Sequence, residues 1–314
     1  MAEFRFFYKE DNRIKMSRTI ETVKTVPIEN FLWIDLNDVT VEVESELEQF
    51  LKIYIQEEEE MEEIEISSRY IETADSIVVN SQFLLDNFEE ETVSLILKNG
   101  ILISVRSKHL HSFNEIVKKI FANPRNYLSG YSIFVDLLAT RVDYDADMIE
   151  DMARQITELS NEIKTEDNAD DDALIAVKNL QEKTMIRENI VDKQRVCSNM
   201  LKSVLMPGEA KAKLSIIIKD INSLFEHTRF SFDRLEYLQD AIIGLINIQQ
   251  NKIIKIFTIV SVIFMPPTLI ASIYGMNFTD FSILQWRHGV LFSIVLMILC
   301  VVGILWFFKK KKWF

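Results

Sequence analysis

Two runs near the end of the chain contain no charged residue, 256–274 with 19 residues and 289–308 with 20. Each matches the ~20 apolar residues that carry a helix across the hydrocarbon core of a bilayer. Lys252 and Lys255 precede the first run and Lys309 to Lys312 follow the second, while the turn between them has only Arg287 and His288 on its basic side. Basic residues collect on the side that is not translocated, so both ends are expected in the cytoplasm and the turn outside. Trp286 and Trp313 fall at interface depth, where amphipathic rings are favoured.

Upstream the pattern shortens. The apolar run Phe31-Leu32-Trp33-Ile34-Asp35-Leu36 predicts a strand, 42–53 has helical spacing, and 92–98 and 101–106 flank Asn99-Gly100 as a hairpin. Asn-Gly supplies the positive φ angles that a two-residue turn needs. A short helix after Phe113 closes at Asn123-Pro124. Beyond Tyr127 the chain reads as helix: 129–163, a polar break at 166–172, a second helix over 173–205 stopped by Pro207-Gly208, and a continuous pattern over 210–274 interrupted only by Pro266-Pro267. That last stretch would extend on the order of 95 Å at ~1.5 Å per residue, too long for one globular domain. The expected fold is an α+β membrane protein. Its parts are a cytoplasmic α/β domain over 1–125, long cytoplasmic helices over 126–209 and a stalk helix over 210–252. A first membrane helix over 253–274, an outer loop over 275–288, a second membrane helix over 289–308 and a basic cytoplasmic tail over 309–314 complete it.

Charge sharpens that division. Residues 251–314 hold seven basic groups and one acid, Asp280, for a net +6; the whole chain is −13, which leaves −19 on the first 250 residues. So acidic a body disfavours nucleic-acid binding. Residues 1–10 are charged and aromatic without an apolar core, so no signal peptide is expected. Cys197 and Cys300 fall in different regions, which argues against a disulfide framework and a four-cysteine zinc site. None of the seven glycines forms a phosphate-binding loop and no nucleophile has a base beside it, so ATP-driven transport, an organic cofactor and enzymatic activity are not expected.

Two helices enclose nothing alone, so an ion path would need several copies, one helix from each lining it. The first membrane helix carries polar, small or flexible residues at steps of three and four: Asn251, Ile254, Thr258, Ser261, Met265, Thr268, Ser272 and Gly275. Such a stripe suits tight helix packing as well as a pore. The second helix has no such stripe and suits an outer, lipid-facing ring. At the outer end Gly275 permits close backbone approach and Asn277 presents a neutral amide oxygen. A small, strongly hydrated divalent cation dehydrates reluctantly. Amide carbonyls accept hydrogen bonds from its water shell, whereas a carboxylate ring would hold the ion itself.

The run Tyr274-Gly275-Met276-Asn277-Phe278, after Pro266-Pro267-Thr268-Leu269-Ile270-Ala271-Ser272 and before a basic tail, resembles the signature of the CorA family of magnesium channels, in its enterobacterial-type subgroup. The segment Asn247-Ile248-Gln249-Gln250-Asn251-Lys252-Ile253-Ile254-Lys255-Ile256 resembles the same subgroup. Weaker similarity extends over Trp33-Ile34-Asp35-Leu36, Glu63-Ile64-Glu65-Ile66-Ser67-Ser68-Arg69 and the lysine-rich tail. The resemblance implies a funnel-shaped homopentamer in the bacterial inner membrane, multi-pass with both termini cytoplasmic, whose partners are its own copies, the lipid bilayer and divalent cations. It implies Mg2+ influx driven by membrane potential, with Co2+ and Ni2+ as further candidate cargo, and closure by cytoplasmic Mg2+. Gly275, Met276 and Asn277 would form the entrance filter. Asn251, Met265 and Thr268 would line the channel, with Ile254 in the hydrophobic gate region and Asp240 at an acidic ring of the stalk. Asp220 is the candidate regulatory Mg2+ ligand.

One departure bears on the mouth. Where the family often has Met-Pro-Glu-Leu, this chain has Phe281-Ser282-Ile283-Leu284, so Asp280 is the only loop acid and attraction of cations is expected to be weaker. The run Glu57-Glu58-Glu59-Glu60, continued by Glu62, Glu63 and Glu65, fits a solvated helix face or an ion-sensing surface. His109-Leu110-His111 offers two imidazoles and no third ligand nearby. A zinc-transporting relative and a non-conducting membrane-anchored cation sensor or scaffold remain the alternative readings.

Overall fold

The computed structural model describes residues 3–11, 13–56, 69–163, 171–276 and 288–311. The acidic run at Glu57 to Glu65, Asn277, the outer loop through Arg287 and Trp313 lie outside the described residues. The chain divides into two compact units, Met1–Glu162 with Leu174–Gln239, and Ile163–Ala173 with Asp240–Phe314.

The first unit is built on a seven-stranded sheet. Its strands are β1 (Glu3–Glu10), β2 (Arg13–Ser17), β3 (Phe31–Asn37), β4 (Tyr70–Glu72), β5 (Ser76–Leu84), β6 (Glu90–Lys98) and β7 (Ile101–Arg106), in the order β2-β1-β3-β7-β6-β5-β4. Only β3 and β7 run parallel; all other neighbours are antiparallel. All seven residues of β3 and all six of β7 are buried, because both faces of the sheet are covered. Alternate residues serve the two faces. Phe6, Ile34, Leu36, Ile96 and Ile103 pack on one side with Val23 of the short α1 (Thr22–Thr25) and with Leu47 and Leu51 of α2 (Val41–Leu51). Phe7, Trp33, Leu95, Leu97 and Leu102 pack on the other with Phe113 and Ile116 of α3 (His111–Ala122). That larger core continues through Phe134 and Leu138 of α4 (Gly130–Glu162), Ile190 and Val196 of α6 (Met185–Lys202), and Leu214 and Ile217 of α7 (Gly208–Tyr274).

The hairpin at Asn99-Gly100 forms as expected, with φ of 51° and 81° and Lys98 facing Ile101. It also seats a helix. The Gly130 amide, at the first turn of α4, donates to the Gly100 carbonyl at 2.5 Å. A Cβ at Gly130 would lie 2.2 Å from the Leu102 nitrogen and 2.8 Å from the Gly100 oxygen. Both obstacles are backbone, so α4 would have to lift off the hairpin. Gly130→Ala is therefore expected to destabilise the first unit by about 3 kcal/mol, read as a lower midpoint in urea unfolding; an unchanged midpoint would contradict this packing.

The helix expected over 173–205 is instead two helices. α5 (Asp171–Gln181) and α6 are joined by a tight turn, Glu182–Thr184, where Lys183 leaves helical geometry at φ −75°, ψ 16°. The Lys183 ammonium is drawn to the Gln155 side chain at 3.0 Å and over the Phe88 ring at 4.9 Å, and these tertiary contacts override a good local helix sequence. Asp171 and Asp172, expected in a polar break, begin α5. The expectation over 210–274 is met by α7, one unbroken helix of 67 residues that includes both prolines. The last helix, α8 (Gly289–Lys310), extends two residues past the apolar run.

Candidate functional site

Among the described residues, two helices, α7 and α8, carry a stretch long and apolar enough to cross a membrane, and only 6% of either apolar window is buried, in contrast to the start of α7 that packs in the core of the first unit. The expected path residues from Asn251 to Ser272, and Asp240, lie on α7, and Gly275 and Met276 follow its last residue, Tyr274. At 100° per residue, Asn251, Ile254, Thr258, Ser261, Met265, Thr268, Ser272 and Gly275 fall within a sector of about 120°. All are exposed in the single chain.

The threonines of this stripe are oriented by their own helix. Thr258 donates its hydroxyl proton to the Ile254 carbonyl at 2.7 Å, and Thr268 donates to the Phe264 carbonyl at 2.8 Å. With the proton turned inward, each oxygen keeps lone pairs for an outside donor. The waters of a hydrated cation are such donors; an anion's waters offer the wrong polarity.

Pro266 and Pro267 lack amide hydrogens, so the carbonyls of Val262 and Ile263 have no i+4 partner in the helix. A membrane helix keeps such groups only where neighbouring helices or water satisfy them. α7 therefore calls for company, protein or aqueous, along the middle of its apolar run. At its end the Gly275 amide donates to the carbonyls of Ala271 at 2.9 Å and Ser272 at 3.2 Å, and Met276 donates to Ile273 at 3.4 Å. The helix closes there, one residue before Asn277.

The acids are placed separately. Asp220 and Asp240 are both exposed on α7, the first in unit one and the second in unit two. Among the described residues no three His, Cys, Asp or Glu side chains converge on a metal-sized site. His109 reaches Glu3 at 3.9 Å, while His111 starts α3, stacks on Tyr144 and lies 3.5 Å from Glu115.

Sequence reading missed two buried ionic networks that hold the first unit in shape. In the sheet, Asp35 on β3 accepts from Arg5 Nε at 2.8 Å, Ser104 Oγ at 2.8 Å and Arg106 Nη2 at 3.0 Å, and Arg106 also donates to Asn37 at 2.6 Å. Between sheet and helices, Asp192 of α6 accepts from Ser81 Oγ at 2.7 Å, the Gln82 amide at 3.0 Å and Arg195 at 2.6 Å. Burial works to raise the Asp192 carboxyl, but Lys193 and Arg195 beside it hold it below the usual range. Lys193, fully buried, donates to the Gln82 carbonyl and to Asn189 at 2.9 Å; burial pulls its pKa down to about 8 against the pull of Asp192 and Asp145. Burial also pushes the neighbouring Cys197 thiol up to about 12, which makes it an inert packing group. The available signal was charge at apolar-face positions, as in Arg141 and Asp145, which pair one turn apart inside the core.

The family described as CorA-like Mg2+ transporter protein matches residues 29–310. The magnesium transport protein CorA of Wolinella succinogenes is 39% identical over 293 residues, covering 90% of this chain and 91% of that protein. The magnesium transport protein CorA of Escherichia coli K12 is 33% identical over 320 residues, with 98% of each chain covered. Among solved structures, the complete CorA magnesium transporter from Methanocaldococcus jannaschii aligns with a TM-score of 0.79 over 100% of this chain and 99% of its own, at 19% identity.

Proposed function

Because the chain belongs to the CorA-like Mg2+ transporter family, we propose that it carries Mg2+ through a path lined by its own α7 helices, one from each copy of a homopentamer. The chain transports Mg2+, and the ion is cargo rather than a resident cofactor. The observation that carries the reading of the path is the single helix α7. It is unbroken through both prolines, bears the stripe from Asn251 to Ser272 on one sector, and closes at Gly275 and Met276 directly before Asn277. Gly275, Met276 and Asn277 form the outer filter, and the inward-donating threonines accept hydrogen bonds from the hydrated ion below it. Ile254 serves as a hydrophobic constriction and Asp240 as an acidic ring further along the stalk.

Influx follows the membrane potential, with both termini in the cytoplasm of a bacterial inner membrane. Two positive charges gain roughly 4.6 kcal/mol per 100 mV, enough to drive uptake without ATP. Cytoplasmic Mg2+ closes the path through acids such as Asp220. Such a site takes carboxylates from more than one copy, where acidic subunits meet. A bound cation offsets the repulsion between acidic subunits, and its loss loosens the closed assembly.

The test is Mg2+ entry into liposomes holding the purified protein, low Mg2+ inside and an imposed potential. Flux that rises steeply as the interior is made more negative is the expected result. Flux indifferent to the potential, or entry of Zn2+ without Mg2+, would sink the reading.

A further inference from the structure

We propose that the junction of α6 with β5 and α4 is a proton-sensitive clamp, in which Lys193 is the group that gains and loses the proton. Lys193 and Asn189 are fully buried there, and Arg141, Asp145 and Asp192 nearly so. Both carboxylates are already partnered. Arg141 pairs with Asp145 one turn along α4, and Arg195 pairs with Asp192 at 2.6 Å. Asp192 also accepts from Ser81 and the Gln82 amide, with Arg69 3.9 Å away. Lys193 Nζ lies 3.7 Å from that shared carboxylate, outside hydrogen-bond range. Its two hydrogen-bond acceptors are neutral, the Gln82 carbonyl and the Asn189 side-chain oxygen, and the Phe83 ring centre is 4.5 Å away. An amine has two N–H donors, enough for those two acceptors. Lys193 therefore keeps both hydrogen bonds when it loses the proton and sheds the cost of a buried charge. What it gives up is its attraction to Phe83 and Asp192.

The groups around Lys193 decide which way the balance falls. Burial is the largest influence and favours the amine. Asp192 on α6 and Asp145 on α4 oppose it by favouring the ammonium, Arg141 on α4 sides with burial, and Cys197 on α6 favours the ammonium least. Glu90 of β6 acts on the same cluster: burial and then Glu188 raise its carboxyl, while Arg69 and Lys193 draw it down. β5 carries no charged residue, and α7 reaches α6 through the neutral Asn222 and Phe225. The result is a lysine that sheds its proton at about pH 8 in the folded protein, against an ordinary value of 10.5. Between those values the unfolded chain holds a proton that the folded one has released, so raising the pH favours the folded junction. Below about pH 8 both forms hold the proton and that dependence fades. Protonation therefore loosens the seat of α6 on the sheet, and proton release firms it. The clamp lies wholly within the first unit and does not depend on the ion path.

The experiment is hydrogen–deuterium exchange of the full-length protein in detergent micelles at about pH 7.5 and about pH 9.5, on either side of the proton release. It is read on peptides from α6, residues 185–202, and corrected for the chemical exchange rate. Protection of α6 in the parent should rise roughly tenfold from the lower to the higher pH. Lys193→Met carries no proton and Lys193→Arg does not release its own in this range, so neither variant should show the rise. Flat or falling protection in the parent overturns the proposal, and the parent alone decides this if the variants do not fold. A rise of equal size in Lys193→Met also overturns it, since another group would then be titrating.

Discussion

Replacing Asp35 by alanine is expected to lower the stability of the first unit by about 3–5 kcal/mol, the usual loss when one member of a buried ionic network is removed. Asp35 is fully buried in the middle of the sheet, and its two oxygens serve Arg5 from β1 and both Ser104 and Arg106 from β7. Trp33 reaches the same carboxylate through Ser104, donating its indole hydrogen at 2.9 Å. Without Asp35, Arg106 keeps Asn37, the Lys108 carbonyl and the face of Phe113, and Arg5 keeps Asn114. Neither guanidinium retains a negative partner there, and both are almost fully buried. The effect should appear as a drop of about 10 °C in the thermal midpoint followed by circular dichroism. Asp35→Asn keeps shape and one acceptor oxygen and should fall between the parent and Asp35→Ala. A midpoint within error of the parent would show that the arginines find other anions or water. The exposed pair of Lys15 and Glu10 is the control, since separating exposed charges should leave the midpoint unchanged.

The same network explains which strands were legible. β3 and β7 are near-continuous apolar runs, and the Asn-Gly turn has one backbone solution, so they could be read directly. β1 and β5 could not. Arg5 interrupts β1 because it crosses the sheet interior to Asp35, and Asn80, Ser81 and Gln82 interrupt β5 because Ser81 and the Gln82 backbone hold Asp192 and Lys193 of α6. A polar residue that is satisfied inside the core looks, in sequence, like one that belongs in water. Asp192 and Lys193 lie next to each other on one helix, and nothing local tells that both face inward. The break at Lys183 is of the same kind, since its causes, Gln155 and Phe88, are distant in sequence.

The membrane helices reverse the balance. Their extent was legible, because charge-free runs of this length have one common use, and α7 ends within a residue of the expected position. What faces what was not legible. Exposed Phe257, Met265 and Leu269 on α7 and Leu291 and Trp306 on α8 are equally suited to lipid or to another copy. The stripe at steps of three and four has two physical uses, and the ending Gly275-Met276-Asn277 favours conduction through family resemblance and the chemistry of the amide rather than through periodicity.

Asn277→Ala is accordingly expected to reduce Mg2+ flux by at least about a hundredfold, while leaving expression, membrane insertion and oligomer size as in the parent. Mg2+ gives up its waters slowly, so an entrance that stripped it would be rate-limiting. A neutral amide oxygen accepts from those waters and releases them again, and a hydrogen bond to a charged species is worth about 1.5–3 kcal/mol, or roughly tenfold to a hundredfold in occupancy. In a ring each copy contributes one such acceptor, so alanine removes them all at once. The missing countercharge in the loop, where Ile283 stands in place of a glutamate, leaves less else to concentrate the cation at the mouth. Asn277→Asp separates geometry from charge. Carboxylates there should bind the ion more tightly and pass it more slowly, giving saturation at lower Mg2+ with a lower maximal rate. Parent-like flux in Asn277→Ala, in an assembly of unchanged size, would move the selective constriction off the tripeptide and onto the threonine and methionine positions of α7 further in.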